Sequence, residues 1–203
     1  MPHLPSIHFL NQSDYIACLA ARWMRTPALS DAVWTAVGWL NSQTSIDEVR
    51  FLNLMTALET ILDNLLTDTQ TSMLQRRDFG RLKTDLLNVL KNYSLSDEHA
   101  EIFASKIAGL NSRTLSQKMK SVLETYHLPP DIADPEILKT LTRQRNAITH
   151  TGSALPEYDL WDAILRAREI IVQTVFSELG YEGSIESYAD GHKMRSINDT
   201  GLS

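Results

Sequence analysis

Asp134-Pro-Glu-Ile-Leu-Lys-Thr-Leu-Thr-Arg-Gln-Arg-Asn-Ala-Ile-Thr-His-Thr-Gly152 reads as one helix with both of its ends written into it. Asp134 can accept the first free backbone N–H groups as N-cap, Pro135 suits the first helical position, and Glu136 favours the positive end of the helix dipole. Gly152 supplies the stop. Between these signals Leu138, Leu141 and Ile148 form an apolar stripe. Arg145 falls on the same stripe, four residues after Leu141 and three before Ile148, so the spacing predicts an arginine directed at the core. Asn146 and His150, at i and i+4, share an adjacent face, and only the long arginine side chain can bring all three together.

A second helix complements the first. Ser45-x-x-Glu48 reads as a capping box, followed by Phe51, Leu54, Met55, Leu58, Ile61, Leu62 and Leu65 as a broad apolar stripe. Glu59 interrupts that stripe, and an inward carboxylate is costly without a partner. An inward Glu59 and an inward Arg145 therefore predict an ion pair. The alternative is a glutamate at the stripe's edge that reaches water.

The rest of the chain also reads as helix. After an arm at residues 1–12, Ser13 is placed to cap a helix using Ile16, Leu19 and Trp23, ended by Pro27, and Ser30 or Asp31 starts another with Val33, Val37 and Leu40. Three of the four tryptophans fall between Trp23 and Trp39, which predicts a hairpin packed on the bundle or, alternatively, a docking surface. A polar connection over 67–73 precedes helices around Leu82, Leu86, Val89 and Leu90, then Ile102, Phe103 and Ile107 behind a Ser96 cap, then Met119 and Val122, ended by Pro129-Pro130. Leu160 to Leu179 make a long apolar surface, and from Glu182 onward Gly, Ser and Asp dominate without a period. No run alternates like a strand. The expected fold is an all-α antiparallel bundle whose long helices are those of Phe51, Leu86, Leu141 and Ile171. Its expected parts are an N-terminal arm and helical extension at 1–44, a helical domain at 45–183 and a flexible tail at 184–203.

Composition narrows the function. At 203 residues, 43% hydrophobic and 22% charged, the chain is long enough for one substantial core. Cys18 is the sole cysteine, so no intrachain disulfide forms, and with no apolar leader and no run able to span a bilayer the expected compartment is the cytoplasm. A net charge of −6 argues against a broad nucleic-acid surface, though a local basic cleft is compatible with it. There is no phosphate-binding glycine loop, no His-Glu-x-x-His, no Cys-x-x-Cys and no Gly-x-Ser-x-Gly. Asp97, Glu98, His99 and Glu101 are the nearest thing to a metal cluster, but acidic residues beside Ser96 are what a helix N-terminus favours, so neither metal nor cofactor is expected.

The run Arg145-Asn146-x-x-x-His150 resembles the Arg-polar-x(3)-His signature of the HEPN superfamily, all-helical domains found in RNase toxins and abortive-infection proteins. Phe51-Leu-Asn-Leu-Met-Thr-Ala-Leu-Glu59 and Leu179-Gly-Tyr-Glu-Gly183 resemble its ApeA-like branch, so that the likeness spans about Ser45 to Gly183. The resemblance implies a metal-independent ribonuclease in which His150 transfers protons, Arg145 stabilises phosphate charge and Asn146 orients His150 or the ribose. It also implies a homodimer with two motifs in one cleft, and a setting in antiviral defence or toxin-like growth arrest. Glu59 would support Arg145, with Lys139 and Arg143 as candidate RNA-binding residues. The other reading is a non-catalytic binding or dimerisation module, in which Arg145 and Glu59 are a structural pair. Larger ApeA-like proteins carry a sizeable N-terminal domain that is missing here, so a fragment or a stand-alone member with a separately encoded partner is expected.

Overall fold

The computed structural model describes residues 5–25, 27–129, 131–132 and 134–197. The first four residues of the expected arm, Pro130 of the Pro129-Pro130 break and the last six residues of the expected tail lie outside the described residues. In chain order come a 3₁₀ turn (Phe9–Asn11), α1 (Gln12–Trp23), α2 (Asp31–Leu40), α3 (Asp47–Leu65), the one-turn α4 (Asp68–Thr71), α5 (Arg76–Leu90), α6 (Asp97–Gly109), α7 (Leu115–Thr125), α8 (Pro135–Thr151) and α9 (Leu160–Leu179). A short antiparallel hairpin, β1 (Ser184–Ser187) and β2 (Lys193–Ser196), closes the described chain. The fold is helical, as the periodicity predicts.

Two helices carry most of the core. The α3 stripe is buried at Phe51, Leu54, Met55, Leu58, Ile61 and Leu62. Helix α9 is enclosed on nearly every side, with twelve of its twenty residues buried. On one side Ile164, Ala167, Ile171 and Val175 meet the main core with α3, α7 and α8. On the other, Val172 and Phe176 join Tyr181, Ile185 and Ile197 in a second cluster. Burying each such Leu, Ile or Phe contributes about 1.5–3 kcal/mol over leaving it in water, which is why the α3–α9 contact organises the rest.

The start of α3 departs from the expected capping box. Its N-cap is Ile46 with no side-chain cap, while Thr44 Oγ1 accepts the Ile46 N–H at 3.2 Å. Arg50, whose Nη2 donates to the Thr44 carbonyl at 2.6 Å and which sits over the Trp161 ring, ties this end to α9. Helix α1 likewise starts one residue before Ser13, which is inside it rather than capping it. Ser30 does cap α2 through the Ala32 N–H.

The N-terminal hairpin packs by its small residues, not its tryptophans. Val33 and Ala36 of α2, with Leu29 ahead of it, enter the same core as α3, so the expected extension shares the bundle's interior. Trp23 is 69% exposed and meets Trp34 edge-on at 5.5 Å on the outside. Indole rings are too bulky for the close α2–α3 approach that alanine permits.

Helix α5 is a larger correction. The periodicity of Leu82, Leu86, Val89 and Leu90 predicts a core helix, yet neither α5 nor α6 contains a buried residue. They pair with each other and stand away from the bundle as an arm.

Residues 184–197, expected within a flexible tail, are ordered as the hairpin. Ile185 and Ile197 pack into the second cluster, and the Glu186 N–H donates to the Ser6 carbonyl, adding the N-terminal segment to the edge of β1. Below the hairpin runs a polar seam. Glu169 and Gln173 are fully buried and bond each other at 3.0 Å, and Arg195 approaches Glu169 at 4.0 Å while its guanidinium binds Asp131. The Leu179-Gly-Tyr-Glu-Gly183 run acquires a reason here. Tyr181 folds back into the cluster, its hydroxyl donating to the Ser184 carbonyl, and a Cβ on Gly183 would collide with the Tyr181 ring.

Candidate active site

Helix α8 is capped as its sequence predicts. Asp134 Oδ1 accepts the Glu136 and Ile137 N–H groups at 2.8 Å each, and Gly152 adopts a left-handed φ of 77° that a side chain would strain. Packed by α3, α7 and α9, α8 buries Leu138, Leu141 and Ile148.

The inward polar residue beside them is Gln144 rather than Arg145. Gln144 has no exposed surface; its Oε1 accepts the Leu155 N–H at 2.8 Å and its Nε2 lies 3.4 Å from the Leu155 and Tyr158 carbonyls. It clamps the loop that leads into α9. Gln144 lies three residues after Leu141 and four before Ile148, the mirror of the spacing that marks Arg145, so the sequence contains the signal for both. What decides between them is desolvation: a neutral amide with its partners costs far less to bury than a guanidinium.

Arg145 turns instead to the rim and finds Glu59 there. Its Nε donates to Glu59 Oε1 at 3.1 Å and its Nη2 lies 3.5 Å from Oε2. The predicted partners are thus adjacent, but the side chains remain 34% and 35% exposed, so this is a half-solvated pair at the stripe's edge and not a buried one. Arg145 Nη1 also lies 3.4 Å from Asn146 Oδ1. Glu59, Arg145 and Asn146 form one hydrogen-bonded chain running from α3 onto α8. A guanidinium has five N–H donors, so donors remain for an anion after Glu59 has fixed its plane.

His150 is exposed in the last turn of α8, and among the described residues it makes no hydrogen bond. Lys139, Arg143, Asn146 and His150 recur at i, i+4, i+7 and i+11 and are all exposed, making one polar stripe along α8. At 1.5 Å per residue the stripe is roughly 16 Å long. Lys139 bonds Glu136 at 3.3 Å and Arg143 donates to the Tyr158 hydroxyl at 2.9 Å, so neither touches the Glu59–Arg145–Asn146 chain. The cavity of about 220 Å³ beside Asp134, Glu136, Tyr158 and Arg166 lies at the opposite end of α8 from His150.

Metal chemistry finds no ligand set here. Among the described residues no three His, Cys, Asp or Glu side chains are grouped to hold a metal ion, and Asp97, Glu98 and His99 lie at the start of α6, where Ser96 Oγ caps the His99 N–H. No helix among them is long and apolar enough to cross a membrane.

No curated protein and no solved structure matches the chain significantly. The model of one family, Apea-like HEPN, matches residues 52–184, from the apolar stripe of α3 through the motif on α8 to the first residue of β1. That match covers well over half of the sequence and takes in Glu59, Arg145, Asn146 and His150: the chain belongs to the Apea-like HEPN family.

Proposed function

We propose that this protein is a metal-independent endoribonuclease acting as a homodimer, with His150, Arg145 and Asn146 as its catalytic residues. The observation that supports it best is the exposed His150 on one stripe with Asn146, beside an arginine whose plane is fixed by Glu59. A purely structural Glu59–Arg145 pair has no use for the two polar residues next to it.

RNA carries its own nucleophile. The 2′-OH attacks the adjacent phosphorus, the bond to the 5′ oxygen breaks, and the products end in a 2′,3′-cyclic phosphate and a 5′-OH. The protein must take a proton from the 2′-OH, deliver one to the departing oxygen and stabilise the added negative charge between them. Histidine, whose charge changes near neutral pH, can do either proton transfer but not both at once. A two-fold axis that opposes the α8 stripes resolves this, with one His150 as base, the other as acid, and the two Arg145 guanidinium groups on the phosphate. Lys139 and Arg143 extend the stripe along the RNA backbone. In this reading the activity serves antiviral defence or growth arrest in the cytoplasm, a setting that the resemblance to abortive-infection proteins supports.

Labelled RNA incubated with the protein in excess chelator tests the proposal, beside His150→Ala. Cleavage that survives chelation and disappears in the variant is expected. Undiminished cleavage by His150→Ala, or none by the wild type, overturns it. The acidic balance, with a pI near 5.5, favours a second reading as a non-catalytic helical binding module, for which RNA stays intact while dimerisation persists.

A further inference from the structure

Residues 73–111 leave the bundle through a fixed neck. Asn111 closes it from both sides, its Nδ2 donating to the Leu74 carbonyl at 3.0 Å and its Oδ1 accepting the Leu74 N–H at 2.8 Å. The Met73 N–H donates to the Asn111 carbonyl, and Arg113 Nε donates to the Ser72 carbonyl at 3.0 Å. A neck bonded this fully sets the direction of whatever lies beyond it. Beyond it are only α5, α6 and their connection.

The arm's own pairing is incomplete. Leu86, Leu87 and Leu90 are half-buried against Ala100, Ala104 and Ile107, but the groove between the helices stays open, with a volume of about 490 Å³. Leu82, Val89, Tyr93 and Phe103 are 43 to 66% exposed. Leu82, Leu86, Val89 and Tyr93 recur at i, i+4, i+7 and i+11, and Phe103, Ile107 and Leu110 at i, i+4 and i+7, so each helix carries an apolar stripe the other does not cover. Two such helices cannot enclose a core, whereas four can.

Charge identifies the missing pair. Helix α5 carries Arg76, Arg77, Arg81 and Lys83 against Asp78 and Asp85, a net +2; α6 carries Asp97, Glu98 and Glu101 against Lys106, a net −2 with His99 neutral. An arm with one positive and one negative helix is complementary to itself when turned over. We propose that the arm docks with the same arm of a second copy about a two-fold axis, each α5 lying against the other's α6 to close a four-helix unit. The opposite arrangement would set like charges face to face. This contact supplies the association that a composite site on α8 requires, yet it does not depend on that site cutting RNA.

Solution mass of the full chain, by sedimentation or light scattering across a concentration series, tests the pairing. A dimer is expected for the wild type, and a monomer of unchanged helicity for Val89→Asp with Phe103→Asp, both of which alter exposed positions. Arg77→Glu with Arg81→Glu makes both helices net −2 and should weaken the dimer at least roughly tenfold. Adding Glu98→Lys with Glu101→Lys makes α6 net +2 and should restore it. A wild-type chain that remains monomeric overturns self-pairing and leaves the face to a different protein. Dimers that survive Val89→Asp with Phe103→Asp, or a charge-swapped chain that does not recover, overturn it as well. RNA cleavage is scored separately, so a dimer without activity refutes the nuclease and not the arm.

Discussion

Removing Glu59 separates the two roles that its contact with Arg145 can have. At 3.1 Å the gross attraction between opposite charges is roughly 1 to 5 kcal/mol as the effective dielectric falls from about 80 to about 20. Both side chains keep about a third of their surface in water, so screening and side-chain entropy offset most of this. The net coupling is then close to the ~0.2–1 kcal/mol of exposed pairs, well below the ~3–5 kcal/mol lost when a buried pair is broken. A double-mutant cycle of Glu59→Ala and Arg145→Ala in urea melts should therefore give a coupling of about 0.5–1 kcal/mol. Cleavage should respond differently. Without Glu59 the guanidinium loses the contact that fixes its plane, and kcat should fall by roughly 10- to 100-fold, as when a positioning contact is lost. A coupling of ~3 kcal/mol or more would mean that the pair is buried in solution. Full activity in Glu59→Ala would show that the carboxylate does not position Arg145.

Four further outcomes are expected. Gln144→Leu should cost about 1–3 kcal/mol in denaturant melts, because it strands the Leu155 N–H; an unchanged midpoint would mean that the loop into α9 is held otherwise. His150→Ala, at an exposed position, should leave stability within about 0.5 kcal/mol of wild type, and a larger loss would mark His150 as structural. Mixed dimers with one His150→Ala protomer should cleave RNA at a small fraction of the wild-type rate, and half activity would indicate two independent sites. Acid should free the hairpin early. The Tyr188 hydroxyl, with His192, holds Glu186 below the usual carboxylate range, and the Arg195 guanidinium does the same to Asp131. Stability from a lowered carboxylate is fully present above its unfolded pKa of about 4 and is lost as pH falls through the folded value. Exchange at the Ile185 and Ile197 amides should therefore accelerate below about pH 4 before that of α3, and this step should vanish in Glu186→Gln with Asp131→Asn.

Where periodicity and caps act within one element, the sequence is explicit. Asp134, Pro135 and Gly152 mark α8 to the residue, and six of the seven buried side chains of α3 are those its 3.6-residue stripe predicts. Legibility fails where the outcome depends on what packs against the element. The Leu82–Val89 stripe has a core helix's spacing, but nothing in its period says that α6 will be its main neighbour among the described residues. Ile185 and Ile197 are isolated apolar residues among Gly, Ser and Asp, and they become a buried hairpin because Phe176 and Tyr181 offer a surface for them. At the candidate site the Glu59–Arg145 contact was readable, since two charges each interrupted an apolar stripe. Its depth was not. Gln144 and Arg145 have equal claims on the inward position, and only the Leu155–Tyr158 loop, which satisfies an amide, decides between them.

The enclosure of α9 bears on when the protein can fold during synthesis. Its main partner, α3, ends at Leu65, about a hundred residues before α9 begins, and Gln144 of α8 fastens to the loop just ahead of α9. Contacts this distant along the chain cannot form until the later segment has emerged, and they delay folding relative to local ones. A nascent chain that has delivered α3 and α8 but still holds 160–179 in the ribosome lacks the helix that packs against both, although α2 and α7 already lie beside them. The Glu59–Arg145 contact thus gains its full packing support only after residues 160–179 have emerged. For a protein proposed to cut RNA, this order of events leaves the site incompletely supported until α9 has left the ribosome.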